Sequence, residues 1–206
     1  MQHGLFWITQ EMDFADILNG NLEHPEVYQK QLAAWIFSPA QKLSSKKDGT
    51  DSGIALLSLL LMVFEPHGQY LTGEESNGQS KIKFREGFRS FTNSSQARKK
   101  IQTHISDETI DELYKWARCG LMHSLTMDTR LLIDTRRTGQ ILSKHPSWDF
   151  WLIDPWEMLP SLQDYIGSYV ARLKQQPSSV SRQKFNKTFE RLVIEPGKRF
   201  AKLLES

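Results

Sequence analysis

A single cysteine, Cys119, is the first scarcity in this chain of 206 residues. One thiol excludes an internal disulfide and a cysteine-based zinc site, and it fits a reducing compartment. Histidine is nearly as thin. His3, His24, His67, His104 and His145 are scattered, with no pair at ligand spacing and no carboxylates arranged beside them, so no metal and no other cofactor is expected. Long apolar runs are also missing. The most apolar one, Ile54 to Phe64, is shorter than the roughly 20 residues that cross a bilayer, and it reads as a buried core helix. The opening Met1-Gln2-His3-Gly4-Leu5-Phe6-Trp7 has no basic segment followed by a long apolar one. The expectation is a cytoplasmic protein without a membrane span.

Net charge of one sign is scarce as well, at +2, but the average hides a split. Met1 to Ser80 holds four Lys/Arg against ten Asp/Glu, whereas Lys81 to Ser206 holds twenty-two against fourteen. A basic half of this kind tolerates a polyanion, although a solvated surface is its commoner use. Apolar residues make up 39%, with eleven Phe and six Trp among them. That is ample for one good core, or one domain with an appendage.

Apolar spacing predicts mainly helix. Val27, Tyr28, Leu32, Trp35 and Ile36 form a helical stripe over Pro25 to Phe37 that Ser38-Pro39 should stop. Ser52 or Asp51 should cap the Ile54–Phe64 helix, and Pro66-His67-Gly68 should close it. Leu71 to Ser80 reads as a mobile loop; its Gly73-x4-Gly78 echoes a phosphate loop, but Gln79-Ser80 stands where Lys-Ser/Thr belongs, and Glu74 and Glu75 repel phosphate. Lys81 to Lys100 places Phe84, Phe88 and Phe91 at helical intervals. The next helix should start near Ser106 or Asp107, turn Ile110, Leu113, Tyr114 and Ala117 inward and leave Asp111-Glu112 facing solvent. Leu131-Leu132-Ile133, a Thr138-Gly139 turn and Ile141-Leu142 predict a small β-hairpin, with Trp148 to Ile153 as a third extended segment. Asp154-Pro155-Trp156-Glu157 is a helix start with a capping box. Leu159, Leu162, Ile166, Tyr169 and Leu173 continue it. Phe185, Phe189, Leu192 and Val193 support a last, basic helix.

The chemistry concentrates in Arg118-Cys119-Gly120-Leu121-Met122-His123. Histidine titrates near neutrality, so it takes a proton from a ribose 2′-hydroxyl or gives one to a leaving oxygen. Arginine stays charged and presents a planar fork to a phosphate as negative charge builds on it. On an uninterrupted α-helix, residues five apart point roughly 140° away from each other. Convergence therefore needs Gly120 to loosen the helix, or a second copy of the chain to complete the site. The plainer alternatives are an arginine that neutralises its helix C-terminus, a partly buried histidine, and a packed Cys119.

Leu113-Tyr114-Lys115-Trp116-Ala117-Arg118-Cys119-Gly120-Leu121-Met122-His123 resembles the signature of the HEPN superfamily (higher eukaryotes and prokaryotes nucleotide-binding domain). That signature is an arginine, four to six residues, then a histidine, on a helix of an all-α bundle. The similarity covers roughly Phe14 to Leu173 as pattern, and only Arg118–His123 is specific. It implies a mainly α, HEPN-like helical bundle over 1–175, with a small β-hairpin insertion near 130–153. Residues 176–206 would form a polar linker and an extra, basic C-terminal helix packing on the same domain. It further implies a homodimeric, metal-independent endoribonuclease, with Arg118 stabilising the phosphate and His123 transferring the proton. The setting would be phage defence or a toxin–antitoxin pair with a nucleotidyltransferase-like antitoxin. Two positions depart from the family: Cys119 stands where Asn, Asp or His is common, and Leu125 where some toxins carry a tyrosine that their antitoxin modifies. A non-catalytic RNA- or nucleotide-binding module, or a dimerisation module, is the alternative. RNA, the expected ligand, would lie along Lys81, Lys83, Arg85, Arg89 and Lys115. Arg98, Lys99 and Lys100 extend that segment, whose phenylalanine spacing favours packed rings under a basic outer face, and Arg182, Lys184, Lys187 and Arg191 on the last helix have the same two readings.

Overall fold

The computed structural model describes residues 12, 14–45, 49–102, 104–121 and 127–205. After the short α1 (Phe14–Leu18), α2 (His24–Leu32) carries Pro25 in its first turn, where a missing N–H leaves nothing unpaired. Pro39 does not stop the rod. A π-helical turn, Ala33–Phe37, leads straight into α3 (Ser38–Ser44). The Ser38 N–H reaches back five residues to the Ala33 carbonyl, and the widened turn accommodates a proline ring that an α turn would meet head-on. The added residue also rotates the buried face, so that Ile36 and Phe37 are inside while Trp35 is half exposed.

Helix α4 (Gly49–Leu61) begins ahead of the expected caps, which puts Ser52 inside it. Nor does Pro66-His67-Gly68 end the apolar run. Pro66 falls in the first turn of α5 (Phe64–Thr72), and the helix ends at Gly73, whose φ of +75° gives the left-handed cap that glycine supplies. The stretch Ser52–Thr72 is long and apolar enough to cross a membrane by length and composition, a correction to the shorter run read from the sequence. Of its most apolar window, 56% is buried inside the protein, the behaviour of a core helix.

Helix α6 (Ser80–Thr92) crosses α5 with the two backbones in contact. A Cβ on Gly68 would lie 1.8 Å from the Lys83 carbonyl oxygen, and one on Gly87 2.1 Å from that of Phe64. Around this crossing the Phe64 ring packs on Phe84, Phe88 and Phe91 at 5.7, 4.9 and 5.5 Å. All four are fully buried.

Helix α7 (Asp107–Leu113) starts where Ser106 Oγ accepts the Thr109 N–H at 3.2 Å. Ser106→Ala is expected to remove about 1 kcal/mol, read as a lower urea midpoint with an unchanged slope. Helix α8 (Pro155–Gln175) is capped by Asp154, which accepts from the Trp156 and Glu157 N–H groups. The capping box stays incomplete: Glu157 turns to Lys100 at 3.1 Å, and the Asp154 N–H goes to the Ile141 carbonyl at 2.9 Å. Helix α9 (Val180–Phe189), a π turn (Glu190–Ile194) and α10 (Glu195–Glu205) follow. Phe185 stacks on Tyr70 at 4.8 Å, and the Thr188 hydroxyl donates to the Gln69 carbonyl.

Between α7 and α8 the chain forms a three-stranded sheet from β1 (Leu131–Ile133), β2 (Leu142–Lys144) and β3 (Trp151–Ile153), in the order β1-β3-β2. The Thr138-Gly139 turn does not fold β1 back on β2. β3 lies between them, parallel to β1 and antiparallel to β2, so the hairpin is β2–β3. The reason is burial: Trp151 and Ile153 are both inside, and the central position pairs the β3 backbone on both sides. The protein is thus mainly helical with a small three-stranded sheet.

Candidate functional site

Arg118 lies near the end of a π-helical turn, Tyr114–Cys119, that continues α7. Its Nη2 donates to Glu65 Oε2 at 2.7 Å, with 25% of the arginine side chain and 13% of the glutamate exposed. Glu65 sits in the first turn of α5, where the helix dipole favours a carboxylate. The Tyr114 ring lies 5.6 Å from the guanidinium carbon. Burial first, and then a hydrogen bond with Cys119, push the Tyr114 hydroxyl above its ordinary pKa. The phenol therefore stays protonated at neutral pH.

An arginine offers five N–H donors, and one of them holds Glu65. The carboxylate fixes the fork and cancels much of its net charge. An anion arriving here would be held by directed hydrogen bonds more than by a long-range field. Glu65 is the site residue that sequence reasoning missed. Its signal was an acid placed next to the most apolar run, where an unpaired carboxylate is costly.

Gly120 does not break the helix. It is helical, with φ −58° and ψ −52°, and Leu121 continues it. The irregularity lies just upstream instead, in the π turn, a feature frequent at functional sites. The turn buries Trp116 and Ala117 together and leaves Arg118 at the surface. His123, Met122 and Leu125 lie outside the described residues, as does His3.

The basic residues expected along RNA divide sharply. Lys83 is 1% exposed, and its ammonium is taken by Glu74 and the Thr72 hydroxyl at 2.5 and 3.0 Å. It cannot reach a nucleic-acid backbone, because α6 turns it inward beside Phe84. Lys81 and Arg85 reach Asp111 at 3.2 and 3.4 Å, and Arg89 pairs with Asp107. Asp111 therefore ties α6 to α7 rather than simply facing solvent. Arg182 and Arg191 are engaged by Glu23 and Glu75 at 3.5 and 3.3 Å. Lys115 is exposed on the π turn, one helical turn from Arg118.

A cleft of about 730 Å³ opens at the other end of α7, lined by Arg89, Asn93, Arg98, Gln102, His104 and Asp107 among others. It lies roughly 16 Å along the helix from Arg118, at 1.5 Å per residue, and forms no part of the Arg118 cluster. Among the described residues no group of three or more His, Cys, Asp or Glu is placed to hold a metal. No family model matches the chain, and neither a curated protein nor a solved structure matches it.

Proposed function

We propose that this chain is a metal-independent endoribonuclease of HEPN type. Arg118 would hold the scissile phosphate and His123 would carry the proton. The observation that supports this is the Arg118 guanidinium itself: partly exposed, aimed by Glu65 at 2.7 Å, with donors to spare, five residues before His123. In the reaction the ribose 2′-hydroxyl loses its proton to the imidazole, and its oxygen attacks phosphorus. The bond to the 5′-oxygen breaks, and that oxygen takes up a proton. The products are a 2′,3′-cyclic phosphate and a 5′-hydroxyl. Arg118 stabilises the negative charge that builds on the phosphoryl oxygens. On the HEPN reading the working species is a homodimer, and a nucleotidyltransferase-like antitoxin is the partner to seek.

The test is cleavage of mixed RNA in EDTA by wild type, Arg118→Ala and His123→Ala. Wild type should give cyclic-phosphate ends, and each variant should lose on the order of a hundredfold or more in rate. Cleavage that persists in both variants, or that EDTA abolishes, rejects the assignment.

A second reading has an observation in its favour. Glu65 is largely buried, so the Arg118–Glu65 pair also works as a brace between α5 and the π turn. If that is its whole role, Arg118→Ala lowers stability by about 2 kcal/mol, the cost of a charged hydrogen bond, and RNA survives wild type and variant alike.

A further inference from the structure

At the tip of the β2–β3 hairpin, outside the core, Trp148 is 66% exposed, the most exposed large apolar side chain among the described residues. It is not loose. The His145 ring stacks against it with centroids 4.9 Å apart and planes 16° from parallel, and Phe150 packs on His145 at 4.6 Å. Three hydrogen bonds build the tip: Ser147 N–H to His145 Nδ1 at 3.2 Å, His145 N–H to the Phe150 carbonyl at 3.0 Å, and Phe150 N–H to the Trp148 carbonyl at 2.9 Å. One face of the indole is therefore backed by a ring and the rest is left to water. Nothing in the fold requires this exposure, and an indole turned outward sacrifices a large apolar area.

The tip also connects to the Arg118 segment. The Trp151 N–H donates to the Arg130 carbonyl at 2.7 Å, and the Arg130 guanidinium covers the Trp116 ring at 4.8 Å. Trp116 is two residues before Arg118. Along this path Lys144 is paired with Asp149 and Arg130 with Asp128, at 2.9 and 2.7 Å, and both cations are about half exposed. The Lys144–Asp149 pair is a single contact between exposed groups, which contributes little and exchanges readily for another anion, whereas Arg130 grips Asp128 through two parallel N–H bonds at 2.8 and 2.7 Å and stays over Trp116. Both features belong to the basic part of the chain, Lys81 to Ser206, with its twenty-two Lys/Arg against fourteen Asp/Glu.

We infer that the His145–Trp148–Phe150 stack is a platform for an unpaired base of single-stranded RNA, with Lys144 taking the neighbouring phosphate. The identity of the ligand rests on the ribonuclease reading above; the stack itself does not. A flat ring with one open face beside a long-stemmed cation matches a nucleobase and its backbone. Bases inside a duplex are already stacked on each other, so the platform selects single strands.

Binding is read by fluorescence anisotropy with a 2′-O-methyl oligonucleotide, which has no nucleophile and cannot be cleaved, as a single strand and as its duplex. Trp148→Ala should weaken the single-strand complex roughly tenfold, the loss of one stacked base. Trp148→Phe should keep most of the affinity, and duplex binding should not change. A wild type that binds the single strand equally well after Trp148→Ala overturns the platform, whether or not it cleaves RNA. A wild type that binds through Trp148 but cleaves no RNA supports the platform and rejects the nuclease. Binding of neither oligonucleotide, or Trp148-dependent binding to anionic phospholipid vesicles alone, overturns the inference.

Discussion

Gly87→Ala is expected to destabilise the protein by about 3 kcal/mol, although alanine is the better helix former by roughly 1 kcal/mol. Two effects compete at this position, and their magnitudes decide the sign. The added methyl would sit 2.1 Å from the Phe64 carbonyl oxygen and 3.1 Å from the Gly68 nitrogen. Both are backbone atoms, so no side chain can swing aside. Helices α5 and α6 would have to separate, and the packing of Phe64 on Phe84, Phe88 and Phe91 would open with them. For a chain of this size the loss corresponds to a Tm lower by roughly 10 °C. Gly78→Ala is the control. Its Cβ meets nothing within 4 Å, but its φ is +66°, so only local strain of about 1 kcal/mol applies. If calorimetry finds Gly87→Ala as stable as wild type, the close crossing of α5 and α6 is wrong. The geometry of Glu65, one residue after Phe64, then goes with it.

Much of the helical layout was legible because it is local. Ser106 and Asp154 announce helix starts through side chains that satisfy N–H groups two or three residues away. The Phe84, Phe88 and Phe91 spacing and the stripe from Leu159 to Leu173 reveal inward faces in the same way. The misreadings are of two kinds, local turns taken for stops and contacts between distant segments. Pro39 and Pro66 look like stops, but a π turn absorbs the first and the second falls in a first turn. Gly68 looks like punctuation, yet it is a point of contact between helices. Pairing Leu131–Ile133 with Ile141–Leu142 was the short-range choice, and the more deeply needed strand, Trp151–Ile153, came from further along the chain. Lys83 looks like one more surface cation in a basic segment; its burial depends on Glu74 and Thr72 across the α5–α6 connection. For the site, the sequence picked out Arg118 by its motif. It did not pick out Glu65, because the partner of an arginine 53 residues away leaves no spacing to read.

The other large effect expected is acid lability set by His67. This histidine is fully buried, and its two ring nitrogens lie 2.9 Å from the Tyr28 and Tyr165 hydroxyls. Tyr165 in turn donates to Ser90 Oγ at 2.6 Å. The donors then run one way. Tyr28 O–H donates to Nδ1, Nε2–H donates to the Tyr165 oxygen, and Tyr165 O–H donates to Ser90, so the neutral ring is fully satisfied. A second proton on the ring would need Tyr28 to become an acceptor and would strand its hydroxyl hydrogen. Burial first, and then the nearby Arg172 charge, lower the His67 pKa from 6.5 to about 3. Unfolded chains bind this proton below about pH 6.5, whereas the folded protein refuses it until about pH 3. Between those limits the unfolded state holds more protons, so stability rises with pH and is lost as pH falls. The arithmetic gives about 3 kcal/mol lost between pH 7 and pH 4 from this group alone. Carboxylates add their own acid loss, so the informative quantity is a difference. His67→Gln keeps one donor and one acceptor for the two tyrosines but does not titrate. It should be less stable than wild type at pH 7 and should close most of that gap by pH 4, in urea titrations at both pH values. Parallel pH profiles for the two proteins would mean that the ring already carries its proton, or is reached by water, in the folded state.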